Sequence, residues 1–164
     1  MTPRLRLRAW RSEDRAAVAA ILGDPAVMEF SDNGALDAAE QAAWLGAAIA
    51  AGAGQGLPWS FAIERRAEGD VIGYVSLSPD GDVAGPDGAE LGFRLVTSAW
   101  GQGFATEAVQ AVVEAAGTAR IVAAVDPENA GSLRVLKKLD LVKTGEVMLP
   151  GYDHPDHVYA RSAP

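Results

Sequence analysis

The 164-residue chain has no cysteine and only two histidines. Disulfides, thiolate metal sites and cysteine nucleophiles are thereby excluded. Nowhere does it approach the ~18 uninterrupted apolar residues that a membrane-spanning helix needs. Its first residues, MTPRLRLRAW, alternate charge with leucine where a secretory leader would build an apolar core, so a cytoplasmic location is the expectation. Positive charge is also short, with 14 Lys and Arg against 22 Asp and Glu and a net charge of −8. Binding a nucleic-acid backbone requires clustered Lys and Arg, so the balance favours neutral or cationic partners instead. Low-complexity runs, internal repeats and linkers are absent as well. With 49% hydrophobic residues, the expectation is one domain over 1–164 with a substantial core, as a monomer or homodimer.

What is present reads as alternating elements. RLRLRA alternates arginine with leucine or alanine, the period-two pattern of a strand with one solvated face. Ser12 is positioned to cap a helix over 13–22, and a second helix is expected near 37–51, where Trp44, Leu45, Ala48 and Ile49 share a face. WSFAIE and VIGYVSLS read as strands joined by a turn at Glu68, Gly69 and Asp70. After the polar turn PDGDVAGPDG, ELGFRLV is a fourth strand. A helix over 104–116 then carries Ala105, Ala108, Val109, Val112, Val113 and Ala116 on one stripe. RIVAAVD is a short strand apolar enough to be covered on both faces. NAGSLRVLKKL is a helix with Asn129 as N-cap, and strands over 141–148 and 156–161 follow. The order β-α-α-β-β-β-α-β-α-β-β predicts an α/β (α+β) fold, a mixed sheet with helices on both faces.

The stretch AWGQGFATEA places Gly101 and Gly103 between a strand and a helix. No lysine follows them, which excludes a P-loop, and Thr106 stands where a dinucleotide fingerprint needs its third glycine. Free N–H groups at a helix start, backed by the helix dipole, bind an anion without basic side chains. A plain tight turn is the alternative for the same residues.

Taken together, ELGFRLVTSAWGQGFATEAVQAVVEAA and VDPENAGSLRVLKKLDL resemble the GNAT N-acetyltransferase superfamily, most closely its RimJ/RimL-like branch of ribosomal-protein N-terminal acetyltransferases. The resemblance extends over RLRLRAW and WSFAIE…VIGYVSL, nearly the whole chain. The superfamily loop Gln/Arg-x-x-Gly-x-Gly/Ala reads Trp100-Gly101-Gln102-Gly103-Phe104-Ala105 here. Trp100 replaces the usual first residue, in the manner of that branch. The resemblance implies a mostly antiparallel sheet of 6–7 strands and acetyl-CoA as cosubstrate. It also implies that the loop, Gly101 with Gln102, Gly103, Phe104, Ala105 and Thr106, binds the pyrophosphate through its backbone. Leu95 and Val96 would pair with the pantetheine arm where the strands splay, and Asn129 and Ser132 would approach the pantetheine and thioester sulfur. Asn129 also reads as an ordinary cap and Ser132 as a small helix-start residue.

Acetyl transfer to an amine needs a base, an oxyanion donor and a proton for the thiolate. Amines have a pKa of ~8 to ~10.4 and must lose a proton before attack. Members of the family often use an acidic residue from this strand as base, so the resemblance makes Glu90, on one strand face with Gly92 and Arg94, the first candidate, with Asp126 the second; an exposed strand-end glutamate is the plainer reading of Glu90. A backbone N–H near Val96 is the expected oxyanion donor. The tyrosine by which many family members protonate the thiolate is Leu136 here, leaving Ser132 or water for that role. The family's LGF after this helix reads Leu139-Asp140-Leu141, with Asp140 at a position that favours glycine. DHPDH, residues 153–157, holds both histidines but no matching ligand cluster elsewhere in sequence, so no metal is expected. Tyr152 or His154 would border the acceptor pocket, and Phe30, Trp59 and Tyr74 are core aromatics or pocket walls. The acceptor is a protein N-terminus or a small amine such as an antibiotic or polyamine. A non-catalytic acyl-CoA sensor that has lost its acid is the rival reading.

Overall fold

The computed structural model describes residues 2–53, 60–79, 82–85, 88–117 and 120–161; Trp59 and parts of the polar turn lie outside them. Among the described residues, seven strands and four α-helices follow the expected order: β1 (Leu5–Arg8), α1 (Arg15–Leu22), α2 (Ala38–Gly52), β2 (Ser60–Arg65), β3 (Val71–Ser78) and β4 (Gly88–Leu95). Then come α3 (Phe104–Ala115), β5 (Arg120–Val125), α4 (Ala130–Lys138), β6 (Val142–Val147) and β7 (Asp156–Arg161). The strands form one sheet ordered β1-β2-β3-β4-β5-β7-β6. Among the described residues, only the β4–β5 pair is parallel.

Alternation along each strand divides the apolar side chains between two layers. Leu5, Ile63, Val75, Leu91, Leu95, Ile121 and Ala123 face the stripe of α3, Ala108, Val109, Val112 and Val113, with Leu136 of α4. On the opposite face Ala62 and Tyr74 meet Trp10, Val18 and Ile21 of the α1 region and Leu45 and Ala48 of α2. Val122 packs on that face against Ala84 and Ala160, so β5 is covered on both sides as its composition predicts.

Two expectations need correction. Ser12 does not cap α1: a 3-10 turn over Ser12–Asp14 comes first, and the Asp14 carboxylate receives the Arg11 N–H at 2.8 Å. The arginines of β1 are not a purely solvated face either. Arg8, with its side chain 11% exposed, donates to Asp14 through both terminal nitrogens at 2.8 Å and to Glu64 through Nε at 2.6 Å. The antiparallel β1–β2 register sets Glu64 beside these arginines, and Arg6 joins it at 3.0 Å. α2 begins as expected: Asp37 accepts the Ala39 and Glu40 N–H groups, while Glu40 receives the Asp37 N–H. After α4, Asp140 takes the left-handed conformation, φ +59°, that glycine holds in the family pattern.

Candidate functional site

The parallel pairing of β4 with β5 covers only Gly88–Glu90 against Arg120–Val122, although the strands run on to Leu95 and Val125. Beyond Glu90 they part. In the antiparallel β3–β4 ladder, Gly73, Val75 and Leu77 lie opposite Leu95, Phe93 and Leu91, and Val96 N–H donates to Ile72 C=O at 2.9 Å. That phase turns the main-chain groups of Leu91, Phe93 and Leu95 toward the gap. The sequence singled out Leu95; Phe93, its equivalent one period earlier, was missed. Val96 is a correction. Its N–H is engaged by Ile72 and its C=O accepts the Ala99 N–H at 2.9 Å, because the chain turns into a 3-10 segment at Thr97–Ala99. It therefore offers no free donor for an oxyanion. Leu95 C=O accepts from the indole Nε1 of Trp100 at 2.8 Å, and Trp100 is 52% exposed.

Gly101 (φ +72°) and Gly103 (φ +80°) both take the left-handed conformation, which explains glycine at these positions. Gly103 opens α3 without a side chain to cap it, and the first turn closes through Glu107 N–H to Gly103 C=O at 3.1 Å. The N–H groups of Phe104, Ala105 and Thr106 are thus left without helical acceptors, at the positive end of the helix dipole. Gln102 is exposed beside them. Sequence reasoning missed Arg4. Its Nη1 donates to Gln102 C=O at 2.9 Å, its Nε to Glu107 at 2.7 Å, and its guanidinium lies 4.4 Å from the Phe104 ring centroid. No local signal could have revealed this, since Arg4 and Glu107 are 103 residues apart.

On the sheet face away from α3 and α4 stands a row of acids. Glu90 lies opposite Val122 and receives the Val83 N–H at 3.2 Å; burial pushes its carboxyl above the usual glutamate range. Asp126, 7% exposed, follows β5, and Asp156, 6% exposed, begins the neighbouring β7. Asp126 accepts the Glu128 N–H at 2.7 Å, and its other oxygen lies 3.0 Å from His154 Nε2. His154 Nδ1 lies 2.7 Å from Asp153, and the hydrogen bonds to Asp126 and Asp153 raise its pKa. Asp156 Oδ1 is buried without a hydrogen-bond partner, and burial together with Asp126 raises its carboxyl. Asp126, His154 and Asp156 bring one ligand atom each within 4.8 Å of one another. DHPDH thus meets in space an aspartate that sequence spacing hid.

Asn129 caps α4 by accepting the Ser132 N–H at 3.0 Å, which fixes both residues at the helix start. Leu136 is wholly buried in the core. A pocket of about 210 Å³ opens beside β3 and β4, lined by Met28, Ser31, Asn33, Trp44, Tyr74 and Arg94 among others. Tyr74 serves both expected roles: it is 5% exposed, packs on Trp44 at 5.3 Å, and accepts a hydrogen bond from Arg94. The Tyr152 hydroxyl lies 3.5 Å from Phe30 C=O, in the α1–α2 connection that also carries the pocket residues Met28, Ser31 and Asn33.

Comparison with known proteins agrees with this architecture. The chain is 31% identical over 148 residues to the uncharacterized N-acetyltransferase p20 of Bacillus licheniformis, covering 88% of this chain and 82% of p20. A GNAT-family acetyltransferase from Bacillus anthracis superposes with a TM-score of 0.81 at 22% identity, covering 98% and 94% of the two chains. YncA, a putative acetyltransferase from Salmonella typhimurium solved with its cofactor acetyl-CoA, gives 0.71 at 19% identity, covering 97% and 94%. Residues 4–142 match the family model described as "Acetyltransferase (GNAT) domain". With its parted strands and its uncapped helix beyond a Gly-x-Gly turn, the chain belongs to the GNAT family of acetyltransferases and is an N-acetyltransferase.

Proposed function

We propose that the protein transfers an acetyl group from acetyl-CoA directly to a primary amine, without a covalent enzyme intermediate. The observation that carries this reading is the parting of β4 from β5 next to the uncapped start of α3. The pyrophosphate of the donor fits the N–H groups from Gln102 to Thr106, with the Gly101 and Gly103 turns allowing close approach and Arg4 adding positive charge. The pantetheine amides fit the main-chain edge of Leu91, Phe93 and Leu95, and Asn129 and Ser132 stand at the neighbouring helix start.

Glu90 is the base in this reading. A carboxyl raised by burial is better matched to taking a proton near neutrality than an ordinary glutamate. Asp126 is second, because Glu128 N–H and His154 already engage its oxygens. The amine nitrogen attacks the thioester carbonyl and passes its proton to Glu90. The tetrahedral oxyanion is met by a main-chain N–H of the β4 edge, and its collapse breaks the C–S bond. Ser132 or a water protonates the leaving thiolate. Aminolysis of a thioester requires no metal, so no step uses one.

The loop spelling WGQGFATEA favours the RimJ/RimL-like branch and a protein N-terminus as first acceptor, with small amines second. The test is release of coenzyme A thiol from acetyl-CoA across a panel of N-terminal peptides, polyamines and aminoglycosides. Turnover with peptides above all is the expected result. Turnover only with small amines rejects the branch assignment. Acetyl-CoA binding at sub-millimolar concentration without thiol release from any amine rejects the transferase reading in favour of a sensor.

A further inference from the structure

The acidic row contains a feature that acetyl transfer does not use. Asp156 is 6% exposed and its Oδ1 is buried with no hydrogen-bond donor. Leaving a carboxylate so placed is costly unless a cation or donor answers it. Two neighbours fix what kind of group would do so. Val125 pairs with His157 across β5 and β7, which brings Asp126, one residue beyond, alongside Asp156 on the same face. The turn before β7 then brings His154 Nε2 to 3.0 Å from Asp126 Oδ2.

His154 is oriented from behind. Its Nδ1 lies 2.7 Å from Asp153, the carboxylate–imidazole arrangement that commonly holds a metal-binding histidine in place. A neutral imidazole that donates Nδ1–H to Asp153 presents its Nε2 lone pair on the Asp126 side, where a cation can take the place of a second ring proton. A proton would satisfy that one contact and leave Asp156 unanswered. A divalent cation would answer all three.

We infer that Asp126, His154 and Asp156 form a binding site for a first-row divalent cation such as Zn²⁺ or Mn²⁺. Two carboxylates and one imidazole suit these ions, cancel a double positive charge, and leave a position for water. The three ligand atoms lie within 4.8 Å of one another. Ligands about 2.1 Å from one cation stand at most about 4.2 Å apart, so closure takes only a small side-chain movement. The bound ion would tie the turn carrying Tyr152 and His154 to the end of β5.

Calorimetry of tag-free, chelator-treated full-length protein tests the site with Zn²⁺, Mn²⁺ and Mg²⁺ in turn. Zn²⁺ and Mn²⁺ are expected to bind one per chain with micromolar affinity and raise the melting temperature, and Mg²⁺ to bind at least tenfold more weakly. Asp156→Asn, which keeps the side-chain shape, and His154→Ala, at a partly exposed residue, should each weaken Zn²⁺ binding at least tenfold. His157→Ala should leave it unchanged. Because the chain has no cysteine and no other histidine, these variants account for every imidazole and thiolate ligand. The inference is overturned if neither Zn²⁺ nor Mn²⁺ binds stoichiometrically, or if binding survives intact in both Asp156→Asn and His154→Ala. It is also overturned if Asp156→Asn alters only the KM for the acceptor, which would make Asp156 an ammonium-docking group.

Discussion

At the scale of single residues, the decisive quantity is the environment of a carboxylate. Glu90, Asp126 and Asp156 share a sheet face, yet their partners differ: main-chain amides of the Asp82–Val83 turn for Glu90, an amide and an imidazole for Asp126, and no donor for Asp156 Oδ1. Burial raises Glu90, so its ionised, basic form is lost as pH falls through a value above the ordinary ~4.3 of glutamate. The acid limb of the kcat/KM profile should therefore lie above that value, with activity rising as pH rises through it. Glu90→Gln should lower kcat by about 10²- to 10⁴-fold and erase the limb, with little change in acetyl-CoA affinity. Steady-state kinetics across pH decide the matter, and an intact limb in the variant removes Glu90 as the base. Leu136 shows the opposite case. It is wholly buried in the core, so leucine there is a packing residue.

At the scale of elements, the site depends on a strand that loses its neighbour and a helix that lacks a cap. β4 keeps its antiparallel ladder with β3 while its other edge opens after Glu90. α3 begins at a glycine whose φ of +80° excludes ordinary side chains from strain-free occupancy. Gly103→Val should reduce acetyl-CoA affinity by more than tenfold, both by displacing the first-turn amides and by obstructing backbone approach. The added Cβ would stand 3.5 Å from the Arg4 guanidinium, an ordinary contact, so the fold itself should persist. Calorimetry with acetyl-CoA, paired with circular dichroism, checks both statements; unchanged affinity in a folded variant refutes the pyrophosphate assignment. The turn, the stripe of α3 and the Asn129 cap are local patterns and were legible in sequence. That Val96 is spent on Ile72 and Ala99 was not, because a main-chain group's partner depends on ladder phase rather than residue type.

At the scale of the whole molecule, stability rests partly on an ion-pair network joining β1, β2 and the start of α1. Hydrogen bonding by Arg8 holds the Glu64 carboxyl below its usual range. Burial alone would raise Asp14, but the hydrogen bonds from Arg8 and Arg11 outweigh it and hold it low as well. Both groups have folded pKa values below their unfolded ones, so their contribution is complete above about pH 5 and is lost as pH falls through the folded values. Arg8→Met leaves two buried carboxylates without their main partner and should cost about 3 kcal/mol at pH 7. The deficit should shrink at pH 3, because in the variant the two carboxyls are no longer held low by Arg8 and take up protons more readily. Urea midpoints at the two pH values measure this, and an equal loss at both would mean that Arg8 acts by packing alone.

The sequence by itself determined the order of elements, the two-faced sheet, the glycine turn and the family, since periodicity, capping and loop spelling are written in neighbouring residues. It also identified Glu90, Asp126 and His154 as residues of interest without indicating which would meet. Only the tertiary structure decided that Arg4 supports the loop, that Phe93 rather than Val96 offers its backbone to the gap, and that Asp126 joins the DHPDH segment beside an unanswered Asp156. These are contacts across strand register and between distant segments, set by how the sheet pairs and where it parts, and no run of adjacent residues encodes them.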